Sequence, residues 1–480
     1  MESGKYPGLR PCCAPFAAPG ARAENEIEVC DKYTGEVIAR VPLTGQAGAE
    51  KALSASASAA APMAGLSAGK RSEILDRLAG LLEKHSDELA RLVCSEAGKP
   101  IALARLEVSR ALFTVRAAAA EALRFSGEQV PLDFLNGTGK TALTRRVPRG
   151  PVLCITPFNF PLNLAMHKVA PAIAAGLPFM VKPSPLAPLS ALCLTGLCRE
   201  AGVPEAAAQA FLCENDVTAR ICADPRVAML SFTGSDAVGW RLRELSGRKK
   251  VCLELGGNAA LVVDETADLA AAARIAAQGS FVYAGQVCIS TQRIYAVKEI
   301  YPRFAELLAR ETESFPTGDP RDESVLCGPV INAPNRDRLS GLVRTACEGG
   351  AGVLARAGFE DPSRNILAPA ILTNVPPSHP LCRDEAFGPV ALLAEASDFG
   401  HALALANDTR YGLQAGVFTN LIARMKQAHE TLNVGAVIIG NAAGFRVDTM
   451  PYGGVKDSGR GREGVRYAME EMTEPRLLVY

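Results

Sequence analysis

The pattern of hydrophobic and polar positions changes in character along this chain. Between residues 71 and 94, apolar side chains recur at helical spacing, which predicts one long amphipathic helix that ends at Gly98-Lys99-Pro100. A second long helix is predicted over about 102–126. The segment 127–147 is rich in turn residues and resembles an extended arm or hairpin more than a core element.

From residue 150 onward, short apolar runs alternate with helical patterns. The first runs predict five parallel strands with helices on both faces of the sheet, as in a doubly wound nucleotide-binding layer; they lie at 152–155, 179–181, 210–212, 227–232 and 251–255. A second alternating series predicts another α/β domain, with strands at 260–263, 294–297, 367–372, 390–394, 415–418 and 436–439. The predicted fold class is therefore α/β.

Composition narrows the possible partners. The 480 residues exceed what one simple core holds, and 51 basic side chains balance 51 acidic ones, which argues against nucleic acid or anionic membrane as a main partner. No run of about 18 uncharged apolar residues predicts a membrane span, and the amino-terminal segment shows no secretory signal. Fourteen cysteines in such a chain indicate reduced thiols, so a cytoplasmic location is expected.

Three residues at strand and helix ends are candidates for chemistry. Cys288 follows a predicted helix and could be an exposed nucleophile, or one more structural cysteine among fourteen. Glu254 ends an apolar run, where desolvation could make it a general base; the alternative is a strand-end carboxylate in solvent or in an ion pair. Asn159 follows the first strand, at the sheet edge where ligands bind, although turns also favour asparagine.

Two further motifs sit where a parallel sheet binds anions. Lys182-Pro183-Ser184 ends the second strand, and 231–235 leads into a helix amino terminus, whose free N–H groups attract anions. Neither is a G-x-G-x-x-G or Walker fingerprint, so the pattern alone is a weak signal. The five histidines lack ligand spacing, and no metal site is expected.

Together these motifs resemble the aldehyde dehydrogenase superfamily, because they occur in that family's order. The likeness covers nearly everything after Ile27, and 445–456 and 461–474 look most like its lactaldehyde dehydrogenase branch. The matching motifs are Pro157-Phe158-Asn159-Phe160-Pro161, Lys182-Pro183-Ser184, Phe232-Thr233-Gly234-Ser235, Glu254-Leu255-Gly256-Gly257, Gly285-Gln286-Val287-Cys288, Glu385-Ala386-Phe387-Gly388-Pro389 and Pro451-Tyr452-Gly453-Gly454.

The resemblance implies a domain plan. It places a Rossmann-like, NAD(P)-binding domain at 1–125 and 148–255 and an α/β catalytic domain at 256–455. A small β oligomerisation arm would comprise 126–147 and 456–480, and the chain is expected to form a homodimer or homotetramer. The apolar terminal strand agrees with this, since an exposed strand of that kind is otherwise an edge liability.

The resemblance also implies a mechanism. Cys288 attacks the aldehyde, Asn159 stabilises the oxyanion, and Glu254 activates water to hydrolyse the thioester. NAD or NADP is the implied cofactor; the residues expected around it are Thr156, Pro157, Lys182, Ser184, Gly234, Ser235, Leu255, Glu385 and Phe387. For Phe387, plain core packing is an equally good interpretation.

Departures from the family pattern leave alternatives open. Many NAD-preferring members carry a glutamate where this chain has Pro185, so the sequence leans only slightly to NAD. Glu254 favours hydrolysis over transfer of the acyl group to coenzyme A. Val287 replaces an arginine of the non-phosphorylating glyceraldehyde-3-phosphate branch, which weakens that alternative. A non-catalytic nucleotide-binding protein and a Cys/His hydrolase are further hypotheses, disfavoured because the motif set is intact and no histidine is linked to Cys288.

The substrate is expected to be a small polar or hydroxylated aldehyde such as lactaldehyde. By resemblance, Phe160, Asn163 and His167 line an access tunnel. Arg446 could read a hydroxyl or anionic group on the substrate; an ion pair with Asp448 or with a neighbouring subunit is an equally good interpretation. For His167, the alternative is a hydrogen-bonded core histidine.

Overall fold

The computed structural model describes Leu9 and residues 26–480. The rest of the amino-terminal segment, where the sequence predicts no secretory signal, lies outside the described residues. A two-stranded antiparallel sheet and five helices open the described chain; they are β1 (Glu26–Cys30), β2 (Val37–Pro42), α1 (Gln46–Ser58), α2 (Ala60–Gly65), α3 (Ala68–Lys84), α4 (Ser86–Ala97) and α5 (Ile101–Arg124).

The single helix predicted over 71–94 is two helices, divided at His85. The backbone of His85 leaves helical geometry at φ −102° and ψ 15°, and Asp87 and Glu88 occupy the first turn of α4, where carboxylates favour a new helix start. Gly98, at φ 67°, ends α4 as the sequence predicts. The two carboxylates favour a new helix start at a point where the apolar spacing alone predicts one continuous helix.

The first sheet confirms the predicted nucleotide-binding layer and adds a strand. Five parallel strands lie in the order β9-β8-β5-β6-β7; they are β5 (Val152–Ile155), β6 (Phe179–Lys182), β7 (Ala208–Ala210), β8 (Met229–Thr233) and β9 (Lys250–Glu254). Connecting helices cover its faces; they are α6 (Asn163–Ala175), α7 (Leu189–Glu200), α8 (Asn215–Ala223) and α9 (Asp236–Leu245). The strand order reverses between β5 and β8, which places a binding crevice at their carboxyl ends.

The second sheet confirms the predicted second α/β layer. Its order is β12-β13-β14-β11-β10-β16-β17, and only β12 runs antiparallel to its neighbour. The strands are β10 (Ala259–Val263), β11 (Thr291–Val297), β12 (Gly352–Arg356), β13 (Ala370–Thr373), β14 (Val390–Ala396), β16 (Gln414–Phe418) and β17 (Ala436–Ile439). Its helices are α10 (Leu269–Phe281), α11 (Tyr301–Glu313), α12 (Ala333–Glu348), α13 (Pro380–Arg383), α14 (Phe399–Asn407) and α15 (Ile422–Thr431).

Short elements near the carboxyl terminus pair with strands of the preceding chain. Strand β15 (Tyr411–Gly412) pairs with β18 (Val455–Lys456), and β19 (Gly459–Arg460) joins the first sheet antiparallel to β9. Helix α16 (Val465–Met472) packs on α6. The segment 456–480, expected as part of the arm, therefore contributes to the first layer as well.

The arm itself is a three-stranded antiparallel sheet. Strand β4 (Ala142–Pro148) lies between β3 (Gln129–Val130) and β20 (Thr473–Val479). Its exposed apolar side chains distinguish it from the two buried sheets. Along residues 26–480, no helix has both the length and the apolar character needed to cross a bilayer.

Candidate active site

A strained loop at 282–290 carries Cys288. Tyr283, Ala284 and Gly285 are consecutive residues with positive φ angles of 55°, 53° and 65°. A β-carbon on Gly285 would lie 2.2 Å from the carbonyl oxygen of Gly388, so only glycine allows this close approach. Two non-glycine residues held in left-handed geometry store strain of about 1–3 kcal/mol each, which is typical of functional loops.

The Cys288 sulfur is half-buried and has one polar side chain in contact. It lies 3.0 Å from the hydroxyl oxygen of Tyr452, which is itself buried. Burial raises the pKa of the Cys288 thiol to about 11, while the hydrogen bond with Tyr452 and the charge of Arg446 act in the opposite direction. The sequence motif Pro-Tyr-Gly-Gly contained Tyr452, but its contact with the sulfur spans 164 positions and no local pattern signals it.

Asn159 lies against the same loop. It follows β5, is 3% exposed, and its amide nitrogen donates to the carbonyl oxygen of Gln286 at 2.9 Å. Its own oxygen accepts from the backbone N–H of Phe160 at 3.1 Å, which fixes the orientation of the amide. The Asn159 amide is thereby held against the loop that carries Cys288, at a carbonyl oxygen two residues before that cysteine.

Glu254 ends β9 as a buried carboxyl group with free oxygens. It is 3% exposed, and within the described part of the chain neither oxygen has a hydrogen-bond partner. A β-carbon on Gly453 would come within 2.9 Å of one of these oxygens, so glycine leaves the space beside the carboxyl open. Burial, followed by the nearby charge of Glu463, raises the pKa of Glu254 well above its usual range.

A network of buried charged side chains, which the sequence does not predict, lies close to Glu254. Lys168 donates to Glu463 at 2.9 Å and to Ser231 at 3.0 Å, and Arg446 donates to the other Glu463 oxygen at 3.1 Å. Burial opposes ionisation of Glu463, but the positive charges of Lys168 and Arg446 outweigh it and lower the pKa of Glu463 to about 2. Glu463 is therefore a fixed negative charge close to Glu254.

The carboxyl edge of the first sheet carries the residues expected to bind a dinucleotide. Lys182 ends β6, and Ser184 follows it half-buried. Ser235 is the N-cap of α9 and its side chain makes no capping bond, while Asp236 in the first turn accepts from the backbone N–H of Ala237 at 2.8 Å. Gly239 lets α9 approach Leu255 closely, since a β-carbon there would lie 2.4 Å from a Leu255 methyl group.

Two orphaned hydroxyl groups support this groove as a nucleotide site. Thr156, which precedes Pro157, and Thr233, which precedes Gly234, are buried, and neither hydroxyl has a partner among residues 26–480. Buried polar atoms without partners are rare and indicate a missing polar ligand. The donor set at this edge therefore fits the phosphates and ribose hydroxyls of a dinucleotide.

Glu385 and Phe387 approach from the second domain. One Glu385 oxygen accepts from the Gly257 N–H at 3.0 Å, and burial raises the pKa of this carboxyl to about 7. Phe387 adopts a positive φ of 50° and packs edge-on against Phe158, with ring centroids 5.7 Å apart. The strained Phe387 backbone places its ring beside the loop that carries Asn159.

An access tunnel reaches the loop that carries Cys288. Its cavity of about 280 Å³ is mostly apolar, with a few charged groups in the wall. Its wall includes Phe160, Arg110, Val287, Ile289 and Phe445. The volume and the mostly apolar wall of this cavity suit a small substrate with one polar end.

Asn163 and His167 lie behind this tunnel rather than in its wall. Both side chains are buried. The Asn163 amide donates to the Asp448 carboxylate at 3.2 Å, and Nε2 of His167 lies in hydrogen-bond contact with the same carboxylate at 2.8 Å. Arg110 makes a two-pronged ion pair with the same carboxylate, at 2.7 and 3.0 Å. Asp448 thus pairs with Arg110 instead of Arg446, because Arg446 is already held by Glu463. A direct substrate role for Asn163 and His167 stays a prediction.

No cluster of three or more histidine, cysteine or carboxylate side chains with metal-binding geometry occurs in the described chain. Three elements distant in sequence instead bring together a thiol, an amide and a carboxyl group beside a dinucleotide-type groove. Such an arrangement can perform nucleophilic chemistry at a carbonyl carbon.

Comparisons with known proteins agree with this geometry. The family model described as the aldehyde dehydrogenase family matches residues 20–478. The chain is 40% identical over 457 residues to the 3-sulfolactaldehyde dehydrogenase of Priestia aryabhattai, with 95% of each chain covered. It is 36% identical over 460 residues to the lactaldehyde dehydrogenase of Methanocaldococcus jannaschii, covering 95% of this chain and 97% of the relative.

Solved structures give the same result. The aldehyde dehydrogenase 21 of Physcomitrella patens in complex with the reaction product succinate superposes with a TM-score of 0.91 at 36% identity, covering 96% of both chains. The glyceraldehyde-3-phosphate dehydrogenase GapN of Methanocaldococcus jannaschii, complexed with NADP, superposes with a TM-score of 0.90 at 36% identity, covering 95% of this chain and 99% of that one. The chain therefore belongs to the aldehyde dehydrogenase family and is an NAD(P)-dependent oxidoreductase.

Proposed function

We propose that this enzyme oxidises a small hydroxylated or negatively charged aldehyde to its carboxylic acid through a thioester on Cys288. The observation that carries the proposal is the buried Glu254 carboxyl group, which has two free oxygens beside a half-buried thiol. A carboxyl group with a raised pKa can take a proton from water, and the neighbouring thiol can hold the acyl group that this water attacks.

The residues act in a fixed order. The Cys288 thiolate adds to the aldehyde carbon, and the electron pair of the carbonyl bond moves to oxygen. The Asn159 amide and the backbone N–H of Cys288 donate to this oxyanion. NAD(P)+, which Lys182, Ser235 and Glu385 would hold, would supply the acceptor for the hydride that leaves the substrate carbon. Glu254 then takes a proton from water as its oxygen attacks the thioester, and the carbon–sulfur bond breaks to release the acid and restore the thiolate.

The cofactor is proposed to lie along the carboxyl edge of the first sheet. Lys182 and Glu385 are the candidates for its ribose hydroxyl groups, and Ser235 at the amino terminus of α9 for its pyrophosphate. Phe387 is the candidate packing surface for the nicotinamide. Burial lowers the pKa of Lys182, and an anionic group close to it would act in the opposite direction.

Two arginines favour a substrate with a hydroxyl or negative charge. Arg110 lines the tunnel and is half-buried, while Arg446 is buried with an unpartnered Nε–H. A buried donor left without a partner is costly, and an oxygen of the substrate would satisfy it. The relatives named for sulfolactaldehyde and lactaldehyde, and the structure named for succinate, act on or release molecules with such groups.

Glyceraldehyde 3-phosphate is the second candidate substrate. The structural likeness to GapN and the two arginines near the tunnel favour it. Val287 argues against it, because that position lies in the tunnel wall and offers no positive charge to a phosphate. Transfer to coenzyme A is disfavoured by Glu254, whose free oxygens suit activation of water.

The test is an assay of NAD+ and NADP+ reduction over a panel of aldehydes. It contains lactaldehyde, 3-sulfolactaldehyde, succinate semialdehyde, glyceraldehyde 3-phosphate and hexanal. The proposal expects a preference for a hydroxylated or anionic member and release of free acid without coenzyme A. Cys288→Ala should abolish turnover, and Glu254→Gln should give a single burst of reduced cofactor followed by turnover about 10²–10³-fold slower. Preference for hexanal, or full activity in Cys288→Ala, would contradict it.

A further inference from the structure

We propose that Tyr452 is a further catalytic residue, whose hydroxyl donates a hydrogen bond to the Cys288 sulfur and stabilises its thiolate form. The inference rests on the proposed role of Cys288 as nucleophile. It starts from the distance of 3.0 Å between the Tyr452 oxygen and the sulfur. Within the described chain, no other side chain makes a hydrogen bond with this sulfur.

The surroundings of the sulfur make such a donor necessary. Glu254 and Glu385 lie close enough for their negative charges to oppose ionisation of Cys288, as burial does. A thiolate in this place needs positive charge or a hydrogen-bond donor. The loop 282–290, which carries Cys288, contains no lysine or histidine. The phenol of Tyr452 therefore supplies the donor to the sulfur.

The Tyr452 hydroxyl lies within hydrogen-bond distance of the sulfur, where it can donate to an ionised Cys288. Burial raises the pKa of the Tyr452 phenol well above its usual range, and it therefore keeps its proton at neutral pH. When Cys288 loses its proton to solvent, the sulfur becomes an acceptor and the phenol O–H becomes its donor. Hydrogen bonds to an ionised partner are about twice as strong as neutral ones.

Arg446 strengthens this donor without touching the sulfur. Its guanidinium carbon lies 3.6 Å from the centroid of the Tyr452 ring, in stacking distance. A positive charge on the ring face draws electron density from the phenol and makes its O–H a better donor. Glu463 holds the guanidinium in that position through its 3.1 Å hydrogen bond. Arg446 is thus a positioning residue for this interaction.

The test compares two tyrosines that each lose one hydroxyl group. Tyr452→Phe removes the contact with sulfur and keeps the ring beneath Arg446. Tyr295→Phe is the matched control, since the Tyr295 hydroxyl on β11 accepts from Arg293 at 3.2 Å and an arginine also lies over its ring. The readout is the rate of iodoacetamide alkylation of Cys288, followed by mass spectrometry of its peptide between pH 7 and pH 10.

The expected result is an alkylation rate about tenfold lower in Tyr452→Phe at each pH in this range, which corresponds to a rise of about one unit in the thiol pKa. Tyr295→Phe should stay within twofold of the wild type. Equal rates in Tyr452→Phe and the wild type would overturn the inference. The readout needs no turnover, so it remains decisive even if Cys288→Ala proves active and the proposed function fails.

A second measurement covers the case in which Tyr452→Phe does not fold. Site-specific incorporation of 3-fluorotyrosine at position 452 keeps the ring and makes the phenol O–H a stronger donor. We expect faster alkylation of Cys288 than in the wild type between pH 7 and pH 10. An unchanged or slower rate contradicts donation from Tyr452 to the sulfur.

Discussion

Glu254 and Glu463 are two buried carboxyl groups whose pKa values are shifted in opposite directions. The charges of Lys168 and Arg446 keep Glu463 negative, and that negative charge, together with burial, keeps Glu254 protonated to a higher pH. Carboxyl groups whose surroundings push their pKa values apart serve different roles. In this pair, Glu254 suits proton transfer and Glu463 sets the field in which it works.

Replacing Glu463 is expected to move the acid limb of the pH profile. Glu254 must be ionised to accept a proton from water, so turnover falls as the pH drops through its pKa. Glu463→Gln removes the negative neighbour and leaves the positive charges of Lys168 and Arg446, and both effects lower the pKa of Glu254. We expect the acid limb of kcat to shift downward by about one pH unit.

The matched control for this experiment is Glu470→Gln. Glu470 is exposed on α16 and pairs with Arg466 at 3.2 Å, away from the network. It should leave the limb in place. An unmoved limb in Glu463→Gln would show that another group controls the acid side of the profile.

The choice between NAD and NADP is predicted to depend on Pro185. This residue is exposed directly after Ser184, where many NAD-preferring members carry a glutamate. Two like charges about 5 Å apart repel by about 3 kcal/mol at an effective dielectric constant of about 20, and exposure reduces this figure. Pro185→Glu is therefore expected to lower kcat/KM for NADP+ at least tenfold while preserving or raising it for NAD+.

Pro185→Ala controls for the loss of the proline ring. It should leave the NADP+/NAD+ ratio within about threefold of the wild type, since it adds no charge. The hypothesis fails if the glutamate and alanine variants change the ratio equally.

The sequence predicted some of these relationships and not others, for physical reasons. The strands that carry Asn159, Lys182 and Glu254 are buried on both faces, so they read as apolar runs and their ends are visible in the sequence. Glu463 follows a two-residue strand, β19, too short to show any periodicity. Its contact with Lys168 spans 295 positions, which no local pattern records.

Helix boundaries and substrate contacts show the same limit. Apolar spacing continued through His85, although the backbone turns there. His167 was a candidate for the tunnel wall, but whether a polar residue on a buried helix faces a tunnel or an inner carboxylate depends on what packs against it. In this structure, Nε2 of His167 forms a hydrogen bond with the carboxylate of Asp448, which lies 281 positions away in the sequence.

A buried ion pair beneath the tunnel gives a stability prediction. Lys99 and Glu107 are both fully buried and form an ion pair, and burial lowers the pKa of Lys99 to about 8. The other Glu107 oxygen accepts from the backbone N–H groups of Leu162 and Asn163, each at 3.0 Å. Lys99→Met leaves this carboxylate uncompensated and is expected to lower the free energy of unfolding by about 3–5 kcal/mol.

The double variant Lys99→Met with Glu107→Gln serves as the comparison. It removes both charges while the glutamine oxygen can still accept from Leu162 and Asn163, so we expect it to be more stable than Lys99→Met alone. Urea unfolding of the two variants measures the difference. Equal stability of the single and double variants would mean that the cost arises from packing of the lysine stem and not from the buried charge.

The arm sheet gives a prediction on assembly. Strand β20 is an edge strand with β4 as its one neighbour, and its last apolar side chains are exposed by 55% at Leu477 and 59% at Leu478. An exposed apolar edge strand promotes association with another strand unless it is covered. We therefore expect a homodimer or homotetramer in which this strand is buried, and Leu478→Lys with Tyr480→Lys should produce a smaller species in sedimentation velocity experiments.

Arg476→Lys, on the same strand, is the control, because it keeps the charge and leaves the apolar side chains in place. The wild type and this control should sediment alike. If the wild type is a stable monomer, or if the doubly charged variant keeps the wild-type mass, β20 is not the surface that joins the subunits. A variant that dissociates but keeps its kcat would further indicate that each subunit carries a complete active site, as expected when Cys288, Glu254 and Asn159 all come from one chain.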